Sequence, residues 1–119
     1  MRLIRLDDDG QFLKLRVEGH LVPGGLVTDD DPLENEFGSQ VFERTVFLNM
    51  DSVEGINSAG VSWLLNINRR FNRGGGRLLI HSPPGMVMQA LRLLRVDRVL
   101  ELVENEAEAE RRAAAGRTQ

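Results

Sequence analysis

Val46-Phe47-Leu48-Asn49-Met50, followed after a short connection by Ile56-Asn57-Ser58-Ala59-Gly60-Val61, decides how this chain folds. Thr45 to Met50 is almost continuously apolar, as expected of a central strand covered on both faces. Beyond the connection the period changes. Gly60, Val61, Leu64, Ile67, Asn68 and Phe71 fall on one side of a helix, and Ser62, Asn66, Arg69 and Arg70 on the other. Ser58 therefore stands where a buried strand hands over to a helix of about four turns. The first amides of a helix lack intrahelical partners and carry the positive end of its dipole, so an anion placed there is stabilised by about 0.3–1 kcal/mol.

Working outward, Gly74-Gly75-Gly76 ends the helix, and Arg77-Leu78-Leu79-Ile80-His81 reads as a second buried strand. Strand, helix, strand implies a right-handed parallel crossover. Pro83-Pro84 opens another helix with Val87, Ala90, Leu91 and Leu94 on its core face, and Met86 and Leu93 flanking that face are expected to pack in the core. Val99 to Val103 suits a last strand. A helix rich in alanine, glutamate and arginine follows from Asn105, with Gly116 to close it, and residues 105–119 are expected to form a weakly docked terminal helix and tail.

On the amino-terminal side, Leu13, Leu15 and Val17 alternate with Lys14, Arg16 and Glu18, the period of a strand with one face in water. Leu3 to Leu6 reads as its hairpin partner through Asp7-Asp8-Asp9-Gly10. Residues 19–31 hold three glycines, a proline and three aspartates without periodicity, and read as a long loop. Asp31-Pro32-Leu33-Glu34 supplies a cap, a first-position proline and an acid for a short helix that Gly38 ends.

At 119 residues the chain fits a single domain spanning 1–119. It has no cysteine, which excludes a disulfide or thiolate zinc site and suits a reducing compartment, with the cytosol as the expected location. No apolar run reaches the roughly 18 residues of a membrane span. A net charge of −3, with acidic triplets at Asp7–Asp9 and Asp29–Asp31, argues against nucleic acid as a partner.

The strand Val46 to Met50, the turn Asn57-Ser58-Ala59-Gly60-Val61, the helix to Arg73, Gly75-Gly76-Arg77-Leu78-Leu79-Ile80, and Leu91-Arg92-Leu93-Leu94-Arg95-Val96-Asp97-Arg98-Val99 together resemble the STAS domain of bacterial anti-sigma factor antagonists. The resemblance covers residues 41 to 110. It implies an α/β fold, a mixed sheet of four or five strands with helices mainly on one face, acting as a binding module and not as an enzyme. It also implies a switch. A serine/threonine kinase, often itself the anti-sigma factor, would bind the unmodified chain and phosphorylate Ser58, and a phosphatase would reverse the step. Asn57, Ser58, Gly60 and Trp63 would form the contact centre, with no cofactor or metal held by this chain. The family pattern has aspartate at the end of the central strand and before the phosphoacceptor, whereas this chain has Asn49 and Asn57.

Other readings stay open at this stage. Taken alone, Ser58 is an ordinary helix cap. Trp63, about 100° from the centre of the apolar face, is either half-buried core or an anchor for a partner. The triple glycine lacks the lysine-serine/threonine signature of a phosphate cradle and reads as a turn. His20 and His81 have no partner at metal-ligand spacing. A Ser58, His81, Asp51 triad has no nucleophile elbow to support it. The same surface could serve a permanent scaffold subunit of a signalling or membrane transport complex, or a groove for a small molecule.

Overall fold

The computed structural model describes residues 1–21 and 31–116. The hairpin forms as its alternation requires: β1 (Arg2–Asp8) runs antiparallel to β2 (Phe12–Leu21), with Gly10 at φ +86° in the turn. Asp9 closes that turn by accepting the amides of Gln11 and Phe12 at 2.9 and 2.7 Å. β2 continues to Leu21, so the beginning of the expected loop 19–31 is strand; residues 22–30 of that loop lie outside the described residues. Asp31 caps α1 (Pro32–Phe37) by accepting the Leu33 amide, and Gly38 ends it.

β3 (Thr45–Ile56) is twice the length that its apolar run suggests, because Asp51 to Gly55 continues as strand instead of forming a connection. Beyond Asn49 its pairing among the described residues is with β2 alone, through two register shifts, which is why polar residues are tolerated there. α2 (Ser58–Gly74) follows directly, and Gly75 at φ +85° closes it with its amide on the Phe71 carbonyl. β4 (Arg77–His81) then lies parallel to β3. The glycine run is a turn. Besides the left-handed residue, Gly76 fits beside Phe42 and Arg44, whose carbonyls lie 2.5 and 2.4 Å from where a Cβ would stand.

α3 (Gly85–Leu93), a short 3-10 turn at Val96–Arg98, β5 (Leu102–Val103) and α4 (Glu106–Gly116) complete the chain. The sheet order is β1-β2-β3-β4-β5, with β2 to β5 parallel, so the strand at Phe12–Leu21 is interior and β1 is the edge. Only Leu102 and Val103 of the expected last strand Val99–Val103 pair with β4.

Register sets the two faces. Leu13, Val46 and Leu78 form one row and Leu15, Leu48 and Ile80 another, on the side covered by α1, α2 and α3. Phe47 and Leu79 face the other way and meet Val103, Ala109 and Ala113, with Phe12 stacked on Phe47 at 5.3 Å between centroids. α4 is therefore the single helix on the second face among the described residues. Small alanines bring it close to the sheet, and Lys14 bonds both Glu106 and Glu110 across the seam.

Three apolar assignments fail on α3 and its exit. Val87 and Leu91 are buried, but Leu94 is 58 % exposed and Met86 and Leu93 are 70 % and 78 % exposed. The helix stops at Leu93, and Arg95 takes a left-handed φ of 60°, so the chain turns before Leu94 can reach the core.

Candidate functional site

The site begins with a cap. Asn57 has extended φ and ψ of −123° and −177°, and its Oδ1 accepts the Gly60 amide at 2.9 Å while its carbonyl accepts the Val61 amide at 3.0 Å. This is the geometry that asparagine favours at a helix start. Ser58 is thereby relieved of the capping role that its residue type alone suggests. It is the first helical residue, it is exposed, and its hydroxyl has no hydrogen-bond partner among the described residues. Ala59 beside it is also exposed, so among the described residues the approach is uncrowded. The first turn of α2 contains no acidic residue, so the helix's own side chains do not offset the positive end of its dipole.

Two of the four expected contact residues lie beneath this surface. Gly60 is buried, and a Cβ there would stand 2.0 Å from the Leu21 carbonyl oxygen. Its contribution is to let the end of β2 pass against the first turn of α2, which fixes where Ser58 is displayed. Trp63 is 6 % exposed and belongs to the core. Its indole Nε1 donates to Asp31 Oδ1 at 3.3 Å, the same oxygen that accepts the Leu33 amide at 2.7 Å. A buried indole needs an acceptor, and the α1 cap provides it. The tryptophan therefore ties α2 to α1 and is not an anchor for a visiting surface. Asp31 was legible as a cap; nothing in the linear spacing of Asp31 and Trp63 announced their contact.

Asn49, the other amide where the family pattern has aspartate, lies mid-strand in β3, and its Oδ1 accepts the Asp51 amide at 2.8 Å. Among the described residues neither asparagine oxygen is engaged by a cation. Both bond to backbone amides, which an amide side chain does as readily as a carboxylate in geometry, though with less charge assistance.

The alternative catalytic grouping does not assemble. His81 is buried at the end of β4, its Nδ1 is 2.8 Å from the Ser82 hydroxyl, and burial pushes its pKa below the ordinary value. The charged groups that bear on it are Glu106, Asp51, Lys14 and Glu110, on the α4 side of the sheet. Ser58 is not its partner. Among the described residues no group of His, Asp or Glu is arranged to hold a metal, and no helix is long and apolar enough to cross a membrane.

The sequence profile of the STAS domain matches residues 10–109. No curated protein matches the chain significantly in sequence. Among solved structures, a candidate anti-sigma factor antagonist from Thermotoga maritima, TM1081, superimposes with a TM-score of 0.70 at 22% identity, covering 87% of each chain. The anti-sigma factor antagonist SpoIIAA in its unphosphorylated form gives 0.65 at 14% identity over 97% of each chain. An anti-sigma-factor antagonist (STAS) domain protein from Planctomyces limnophilus gives 0.60 at 17% identity, covering 89% of this chain and 93% of that one. At these identities the superpositions establish the fold.

Proposed function

The chain belongs to the STAS domain family, and on that premise we propose that it is an anti-sigma factor antagonist-like regulatory module, switched by phosphorylation of Ser58 by a partner serine/threonine kinase. The observation that carries this reading is the division of labour at the start of α2: Asn57 makes the cap, and the neighbouring hydroxyl is left exposed with no partner among the described residues.

Ser58 suits the role on chemical grounds. A phosphoryl group there adds about −1.5 to −2 charges beside the positive end of a helix, where they are tolerated by the domain itself. The cost falls on the complex. A partner surface fitted to a neutral hydroxyl would have to desolvate a dianion, and a loss of about 1.4 kcal/mol is already tenfold in affinity. Phosphorylation then releases the partner without unfolding the antagonist. The partner is an anti-sigma factor or related kinase, which supplies the ATP and its metal; a phosphatase restores the hydroxyl. A cytoplasmic setting accords with this chemistry.

Phosphopeptide mapping after incubation with the cognate kinase and ATP tests the assignment. Phosphate on Ser58 is the expected result; modification elsewhere with Ser58 clean removes it.

The local bonds of Asn49 and Asn57 also favour a second reading. Since both oxygens are satisfied by backbone amides, the surface is complete without carboxylates and could be a permanent scaffold contact in a signalling or transport complex. A pull-down separates the two: a switch loses its partner with Ser58→Glu and keeps it with Ser58→Ala, whereas a scaffold keeps it with both.

A further inference from the structure

Four of the five exposed large apolar side chains among the described residues lie in one stretch of chain, from Met86 to Val99. Met86 and Leu93 are seven residues apart on α3 and so share its outer face. Leu94 and Val99, the latter 62 % exposed, carry the apolar surface around the following turn. A groove of about 470 Å³ runs along α3 beside Gln89, Arg92 and Leu93.

Within residues 85–99 the charge is mainly positive, and the acids Glu104 and Glu108 meet this surface only on its α4 side, beside Met88 and Arg92. Arg92, Arg95 and Arg98 are exposed and make no ion pair among the described residues, a state they share with Arg2, Arg5, Arg69 and Arg73, whereas Arg44, Arg70 and Arg77 are each bonded to a carboxylate. Asp97 is the sole acid between Gly85 and Val99. A chain that is negative overall thus presents an apolar strip edged by guanidiniums that are unpaired among the described residues.

We propose that the outer face of α3 and the turn to Val99 form a docking surface for an acidic amphipathic segment of a partner protein, which lays its apolar side chains on Met86 and Leu93 and its carboxylates on Arg92 and Arg98. Charge complementarity selects this occupant. A second copy of the chain placed face to face would set arginine against arginine, which opposes a two-fold dimer. An anionic bilayer is also disfavoured: three arginines fall short of the 4–8 basic residues of a lipid-binding cluster.

The test is a titration of the isotopically labelled full chain with a synthetic helical peptide carrying leucine at i, i+3, i+4 and i+7 and glutamate elsewhere, read by backbone amide shifts. Shifts confined to α3 and the turn, unchanged by Ser58→Glu, are expected. The double variant Arg92→Glu/Arg98→Glu should weaken binding about tenfold, the size of a 1.4 kcal/mol loss, and Leu93→Ser should weaken it similarly. All three positions are exposed, and circular dichroism verifies that the variants fold. Arg95 is left in place because its left-handed backbone would mix strain with charge. The proposal is overturned by any of these: no binding at millimolar peptide, equal binding of a lysine version of the peptide, binding to vesicles containing phosphatidylserine but not to the peptide, or concentration-dependent dimerisation in sedimentation that Leu93→Ser abolishes.

Discussion

Asn57 Oδ1 receives the amide of Gly60 at 2.9 Å, and that bond separates two tasks that a serine at a helix start usually combines. The helix is capped by one residue and its hydroxyl is displayed by the next. Removing the cap should therefore cost stability and leave the phosphoacceptor chemically intact. Asn57→Ala is expected to lose about 1 kcal/mol, the usual cost of a lost cap, in urea denaturation. Asn57→Asp keeps the acceptor, adds charge at the positive end of the dipole, and should be neutral or gain up to about 1 kcal/mol.

Ser58→Glu should not destabilise the domain. The first turn of α2 has no acid of its own, so a carboxylate there meets the positive end of the dipole and gains about 0.3–1 kcal/mol. The thermal midpoint should hold or rise slightly. A fall of several degrees would mean that the hydroxyl is structural.

Gly60→Ala tests the packing that displays Ser58. Alanine is the better helix former by about 1 kcal/mol, but its Cβ would stand 2.0 Å from the Leu21 carbonyl. Overpacking of this kind costs about 1–3 kcal/mol, and backbone cannot move aside as a flexible side chain can. A net loss is expected in thermal denaturation.

His81 should make stability fall as the solution is acidified from neutrality. Burial depresses its folded pKa below 6.5, so below that pH the unfolded chain takes up a proton that the folded chain resists. The contribution is fully present above pH 6.5 and declines beneath it. Urea midpoints at pH 7.5 and 5.5 should differ, and His81→Gln should flatten the difference. Asp8 acts in another window. Its bond to Arg44 lowers its pKa from 3.8 to about 2, so its contribution survives down to about pH 4 and disappears through pH 2.

Much of this architecture was readable before any coordinate. Alternation at Leu13, Leu15 and Val17 announced the hairpin strand, and the helical spacing from Gly60 to Phe71 announced the buried face of α2, because each element buries one periodic stripe. The continuation of β3 through Asp51 to Gly55 was not readable, since those residues carry no apolar period and are held by pairing with β2. Trp63 hid its role for a related reason: its partner Asp31 is remote in sequence and reaches it through the placement of α1. Met86, Leu93 and Leu94 looked like core because apolar residues near a helical stripe usually are; Met86 and Leu93 instead lie on the outer face of α3, and the stop at Leu93 leaves Leu94 outside. At the site, Ser58 and Asn57 were legible from the strand-to-helix turn, whereas the burial of Gly60 depended on where β2 ends.

If Ser58 is a switch for a protein partner, the affinities of the cognate anti-sigma kinase for Ser58→Ala and Ser58→Glu must differ. Near wild-type binding is expected for the alanine variant and at least a tenfold loss, about 1.4 kcal/mol, for the glutamate variant with no loss of fold stability. Equal affinity for both would contradict it.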